Sequence, residues 1–156
     1  MTKYTADLSW RHDGGDFAKG HYSRVHSWTF DGGVTVPASA SPHVVRAPWS
    51  DAGAVDPEEA FVASIASCHM LTFLYVAGKQ GFAITNYDDH AVGTMTKNEH
   101  GVSWVSEVVL TPRIAWQGDR RPSPEQLEQL HAEAHHQCFI ANSVKTWISV
   151  VAPPPQ

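Results

Sequence analysis

The most informative segment of the sequence runs from Asp56 to Val76 and reads Asp-Pro-Glu-Glu-Ala-Phe-Val-Ala-Ser-Ile-Ala-Ser-Cys-His-Met-Leu-Thr-Phe-Leu-Tyr-Val. It opens with a capping carboxylate, a proline at the first helical position and a glutamate at the third, which is typical of a helix start. Apolar residues then occupy most of the circumference, and this predicts a buried helix. Pro57 to Val76 would be roughly 30 Å long at about 1.5 Å per residue. We therefore predict a central helix that ends before Gly78 and Gly81.

A second helix is predicted to begin at Ser123-Pro124-Glu125-Gln126, which again combines a cap, a proline and a polar third residue. Its apolar face comprises Leu127, Leu130, Ala134 and Cys138, and residues 139–144 suggest a short separate helical turn. Strands and helices without regular βαβ alternation indicate an α+β fold. Alternating patterns bounded by turn residues predict the strands: Tyr4–Trp10, Arg24–Phe30, Val34–Val36, Ile84–His90, Ala91–Lys97, Ser103–Ile114 and Lys145–Val151.

Length and charge narrow the class of protein. The 156 residues suit a single domain over 1–156, with 152–156 expected to form a flexible tail. The formal net charge is −5, whereas nucleic-acid-binding proteins usually carry a basic excess. No apolar run approaches the ~18–20 residues of a membrane span, and Met1–Trp10 lacks the order of a secretory signal. We expect a cytoplasmic protein that binds neither nucleic acid nor membrane.

Two cysteines, Cys68 and Cys138, are too few for a disulfide framework. They can be buried apolar residues, or they can meet where the two helices pack. Such a pair suits a thiol peroxidase, in which one thiolate becomes a sulfenic acid that the other thiol captures as a disulfide. Glu58 lies ten residues and ~15 Å of helix rise before Cys68. It cannot touch the thiol, but it can hold an arginine whose charge stabilises the thiolate.

The segment Asp56–His69 closely resembles the signature helix of the OsmC/Ohr family (osmotically inducible protein C and organic hydroperoxide resistance protein). That helix typically starts Asn-Pro-Glu-Glu and carries a cysteine ten positions after the first glutamate. Cys138–Val144 resembles the second family motif, although Phe139 replaces the usual proline. With the order of elements, the resemblance covers essentially the whole chain. It implies curved antiparallel sheets around two central Cys-bearing helices, in an intertwined homodimer with active sites at the subunit interface.

The resemblance also implies an activity. The implied protein is a thiol-dependent peroxidase, which reduces organic hydroperoxides, and hydrogen peroxide more weakly, without a cofactor. On the matching positions Cys68 would be the peroxidatic cysteine, Cys138 the resolving cysteine and Glu58 the carboxylate that orients an arginine. A dithiol or a lipoyl-bearing protein is the implied reductant. The sequence names neither the physiological hydroperoxide nor the electron donor.

Two arginines resemble the arginine of that family. Arg24 precedes the hairpin signal Asp31-Gly32-Gly33 by seven residues and is expected on its first strand. Arg46 lies in the long loop Pro37–Val55. We prefer Arg24 and keep Arg46 as the alternative.

Two other functions stay open on sequence grounds. His131, His135 and Cys138 fall on one helix face and could hold zinc with one further ligand. The chain could also be a non-catalytic domain that sequesters an apolar ligand. The sequence leaves open whether the imidazole ring of His69, the residue after Cys68, faces the thiol. The apolar residues expected around the cysteines are Phe61, Met70, Phe73, Trp49 and Phe139.

Overall fold

The first helix begins where its capping residues predict. In the computed structural model, which describes residues 1–151, α1 spans Pro57–Lys79, three residues beyond the predicted end. The Oδ1 atom of Asp56 accepts the backbone N–H of Glu59 at 2.7 Å, and Oε2 of Glu59 accepts the backbone N–H of Asp56 at 3.2 Å. This reciprocal pair is a capping box. After the helix, Gly81 adopts a φ of 79°, which favours glycine. The predicted tail, 152–156, lies outside the described residues.

The chain divides after Ala60 into two compact units, with α1 starting in the first and continuing through the second. The first unit holds an antiparallel sheet in the order β1-β2-β3. The predicted hairpin turn is present between β2 and β3. Arg24 was expected on a strand, but the strand begins two residues later, at His26. A single domain over 1–156 stays a prediction. The strands of this unit are β1 (Ala6–Ser9), β2 (His26–Phe30) and β3 (Thr35–Ala38).

Among the described residues, the second unit contains most of α1, the second helix and five strands. Strands β4 and β7 form a two-stranded sheet, and β5, β6 and β8 form a three-stranded sheet in the order β5-β6-β8. A capping box at Ser123 starts α2, as predicted. The predicted turn after α2 is a 3₁₀ helix over Ala141–Ser143. The elements of this unit are α2 (Pro124–Gln137), β4 (Ile84–Asp88), β5 (Val92–Lys97), β6 (Ser103–Leu110), β7 (Arg113–Trp116) and β8 (Trp147–Val150).

The sheets are mainly antiparallel, as predicted, but they differ from the predictions in two places. The predicted strand Ser103–Ile114 breaks at Thr111-Pro112 into β6 and β7, which belong to different sheets. Proline has no N–H for a strand ladder, and it restricts the preceding residue. The N–H of Thr111 donates instead to Oδ1 of Asp89 at 2.7 Å. The sheets are also not wholly antiparallel, because β8 runs parallel to β6. Parallel neighbours need a crossover, and the chain between them passes through α2.

The two halves of α1 pack against different partners. Near its start Ile65 lies in one buried cluster with Val108 and Leu110 of β6. Here β5 carries Gly93, where a Cβ would lie 2.5 Å from a methyl group of Val62. Towards its end the helix packs against α2 and β7. That second cluster comprises Phe73, Val76, Ala77, Phe82, Trp116, Leu127, Leu130 and Ala134.

By length and composition alone, α1 could cross a membrane, since its most apolar window has a mean hydropathy of 1.7. By that measure the expectation that no apolar run approaches the ~18–20 residues of a membrane span is wrong. The charged residues Glu58, Glu59 and Lys79 lie at the ends of the helix and leave its middle uncharged. A core helix of a soluble protein passes the same test. Such a core helix is mostly buried, whereas only 28% of the apolar window of α1 is buried within the described residues, because α2 and β6 cover one side of the helix. That the chain avoids membranes stays a prediction.

Candidate active site

The two cysteines meet within the second unit. Cys68 lies inside α1, while Cys138 caps the C-terminal end of α2 instead of lying within it. Both are free thiols, and their sulfur atoms are 2.7 Å apart. A disulfide bond measures about 2.05 Å. The pair can therefore be oxidised to a disulfide with little movement of the backbone.

The environments of the two sulfurs differ. Cys138 is 1% exposed, and burial, followed by its hydrogen bond with Cys68, raises the pKa of Cys138 to about 11. At neutral pH Cys138 is thus a thiol, and its S–H donates to the Sγ atom of Cys68. The half-buried Cys68 also accepts the backbone N–H of Ile140 at 3.5 Å. In the contact between the two sulfurs Cys138 supplies the proton and Cys68 accepts it, while Cys138 also accepts the backbone N–H of Ala141 at 3.4 Å.

Cys68 opens into a cavity of about 640 Å³. Of the apolar residues expected around the cysteines, Phe139 lines this cavity, but Phe61 and Phe73 pack in the two cores. Trp49 stacks on His21 in the first unit. Phe73 lies five positions from Cys68, about 140° around a helix of 3.6 residues per turn, so it points elsewhere. The lining residues are Ser64, Ser67, Cys68, Leu71, Thr72, Tyr75, Gln137 and Phe139.

The ring of His69 bonds to α2 and not to the adjacent thiol. Its Nε2 atom lies 3.0 Å from Nδ1 of His131, and the two residues are 1% and 6% exposed. Burial, with a smaller effect of neighbouring histidines, lowers the pKa of His69 to about 4 and that of His131 to about 3. Both rings are neutral at pH 7. Sequence reasoning missed this pair, although His131 shares the apolar face of α2 with Leu130 and Ala134.

The predicted zinc ligands do not converge. His131 turns inward to His69, His135 is exposed, and Cys138 contacts Cys68. Across residues 1–151 there is no group of three His, Cys, Asp or Glu side chains arranged to hold a metal ion.

Arg24 is held in place within the first unit. Its Nη1 atom donates to the carbonyl oxygens of Gly20 at 2.6 Å and Tyr22 at 2.5 Å. Its guanidinium carbon lies 3.7 Å from the centroid of the Tyr22 ring. Arg24 also lines a cavity of about 510 Å³ together with Pro57, the residue before Glu58. The arginine is therefore positioned near the start of α1.

Glu58 is half-buried, and Arg46 is exposed. The ion pairs found among residues 1–151 include none between Glu58 and either Arg24 or Arg46. The carboxylate–arginine pair implied by the family is thus not formed among the described residues and stays a prediction.

The sequence and fold are similar to those of known proteins. Residues 50–151 match the OsmC-like protein family. An OsmC-like protein of unknown function from Vibrio cholerae O1 biovar eltor str. N16961 is 47% identical with a TM-score of 0.94, and the alignment covers 98% of this chain and 100% of that one. No protein with a curated functional description matches the sequence.

Two more distant structures share the fold alone. An organic hydroperoxide resistance protein OsmC from Legionella pneumophila is 20% identical with a TM-score of 0.67, covering 97% of this chain and 96% of that one. The organic hydroperoxide resistance protein OhrB of Bacillus subtilis is also 20% identical with a TM-score of 0.67, covering 96% and 98%. From the family match over residues 50–151 and the 47% identity to the Vibrio protein, the chain belongs to the OsmC/Ohr family of OsmC-like proteins.

Proposed function

We propose that this protein is a thiol peroxidase that reduces organic hydroperoxides through Cys68 and Cys138. One observation carries the proposal: two free thiols lie 2.7 Å apart, and one of them opens into a cavity of about 640 Å³. The cavity wall includes Leu71, Tyr75 and Phe139. Apolar walls favour an alkyl or aryl hydroperoxide over hydrogen peroxide, because only the former buries apolar surface on binding.

The reaction follows from the roles of the two sulfurs. The Cys68 thiolate attacks the terminal peroxide oxygen, the O–O bond breaks, and the alkoxide leaves and takes up a proton as an alcohol. Cys68 becomes a sulfenic acid. The Cys138 sulfur then attacks it, forming a disulfide and releasing water. A dithiol, either small or lipoyl-bearing, returns both cysteines to thiols and becomes a disulfide itself. The reducing cytoplasm suits this cycle.

We propose that Glu58 and Arg24 complete the site in a homodimer. Arg24 is the stronger candidate because its guanidinium is anchored beside the start of α1, whereas Arg46 is exposed. A guanidinium held by a carboxylate stabilises a nearby thiolate. The family resemblance implies that such sites form at the subunit interface.

The test is oxidation by one equivalent of tert-butyl hydroperoxide. We expect the intact mass of the wild-type protein to fall by two hydrogens and both thiols to disappear. In Cys138→Ser, the sulfenic acid of Cys68 should persist and be trapped by dimedone, whereas Cys68→Ser should not react. Two free thiols under excess hydroperoxide, with an apolar alcohol still bound in the cavity, would instead indicate a non-catalytic binding domain.

A further inference from the structure

The hydrogen bond between His69 and His131 lies where it can control the distance between the two sulfurs. His69 directly follows Cys68 in α1, and His131 lies seven residues, about two turns, before Cys138. In the described part of the chain the His69–His131 bond is the only hydrogen bond between Pro57–Lys79 and Pro124–Gln137, and the bonds from Cys138 and Ile140 to Cys68 lie just beyond the end of α2. The surrounding contact between the helices is an apolar cluster that includes Phe73 and Leu130.

The His69–His131 pair is not explained by a contribution to the stability of the fold. The Nδ1 atom of His69 and the Nε2 atom of His131 are buried and have no hydrogen-bond partner. Whichever tautomers are present, one of these nitrogens is a donor and the other an acceptor. Unsatisfied buried polar groups destabilise a fold, and apolar residues of similar volume often replace such a pair without loss. A role other than stability is therefore needed to explain it.

A buried hydrogen bond can set the register of two helices. Apolar packing is non-directional, whereas a hydrogen bond holds its two heavy atoms within a few tenths of an ångström. Single buried polar contacts fix register in coiled coils for this reason. A slide of α2 by one residue moves it by about 1.5 Å. That is enough to separate sulfurs that now lie 2.7 Å apart.

We propose that His69 and His131 are positioning residues: their hydrogen bond sets the register of α1 against α2 and so holds Cys68 and Cys138 in reach of disulfide formation. The inference rests on the proposed pairing of the two cysteines. It assigns the histidines no contact with the hydroperoxide.

The test is the thiol–disulfide equilibrium of the full chain with dithiothreitol. In it the two protein thiols and oxidised dithiothreitol give the protein disulfide and reduced dithiothreitol. For His69→Leu/His131→Leu we expect the equilibrium constant to fall at least tenfold, a rise of about 30 mV in potential, while the melting temperature stays the same or rises. His69→Gln/His131→Asn keeps a donor or acceptor where Nε2 and Nδ1 now bond. It should restore the constant to within threefold of wild type.

Leu127→Ala is the matched control, because it removes a buried side chain from the same interhelix cluster and leaves both histidines in place. It should lower the melting temperature with little change in the equilibrium constant. A double leucine variant within twofold of wild type, or a Leu127→Ala constant that falls as far, would overturn the inference. If wild type equilibrates with dithiothreitol but resists hydroperoxide, the peroxidase proposal fails while the positioning role stands.

Discussion

Glu58 and Glu59 are adjacent carboxylates at the start of α1 with different tasks. Glu59 closes the capping box with Asp56. Glu58 takes no part in that box, and as an acid near a helix N-terminus it contributes only about 0.3–1 kcal/mol. The carboxylate of Glu58 is therefore available to orient an arginine.

We expect Glu58→Gln and Arg24→Ala each to slow the oxidation of Cys68 by hydroperoxide at least tenfold, measured by stopped-flow kinetics, while the fold survives. Glu59→Gln removes the same charge one residue away, and a glutamine still closes a capping box. It should therefore keep a rate near that of wild type. A normal rate in Arg24→Ala beside a collapsed rate in Arg46→Ala would move the role to the loop arginine.

At the level of elements, the contact between α1 and α2 contains two buried imidazoles that are neutral at pH 7. Burial lowers the pKa of His69 to about 4 and of His131 to about 3, below the ordinary value of 6.5. The unfolded chain thus binds more protons than the folded chain between pH 6.5 and these values. These two histidines leave the free energy of unfolding unchanged above pH 6.5. They lower it progressively as the pH falls from 6.5 towards 4 and then 3.

We expect the free energy of unfolding, from urea titrations at pH 7, 6 and 5, to decline with a slope of at most about 1.4 kcal/mol per pH unit for each proton. His69→Leu/His131→Leu should show a shallower decline, since the other titratable groups are common to both proteins. Equal slopes in the two proteins would mean that neither histidine is kept neutral by the fold.

For the whole molecule, the outward face of α1 is unusually apolar. Leu71 and Tyr75 are 60% and 58% exposed, and Leu74 is exposed beside them. Phe139, which is 80% exposed and lines the same cavity as Leu71 and Tyr75, adds apolar surface beside them. Contiguous apolar patches on a protein surface mark interaction sites. A second copy of the chain, as the family resemblance implies, would cover this face.

We expect light scattering at micromolar concentration to give twice the 17.1 kDa mass of the chain. Obligate homodimers often bury more than about 2,000 Å², and an interface of that size keeps two subunits associated at this concentration. Leu74→Glu places a charge on this face without altering the cavity beside Cys68, and it should yield monomers or aggregates. Val102→Glu, at an exposed position in the turn before β6, should remain a dimer. A folded wild-type monomer at that concentration would contradict the homodimer.

Elements with local causes could be predicted from the amino-acid sequence. The helix starts at Pro57 and Pro124 and the turn at residues 31–33 depend on residues within about four positions of each other, so their patterns are readable without a fold. The resemblance to the family motifs predicted that Cys68 and Cys138 form a pair. Other features became visible only in the folded chain. The parallel pairing of β8 with β6 and the bond between His69 and His131 are set by partners far along the chain, and no local pattern encodes which distant residue a side chain will meet.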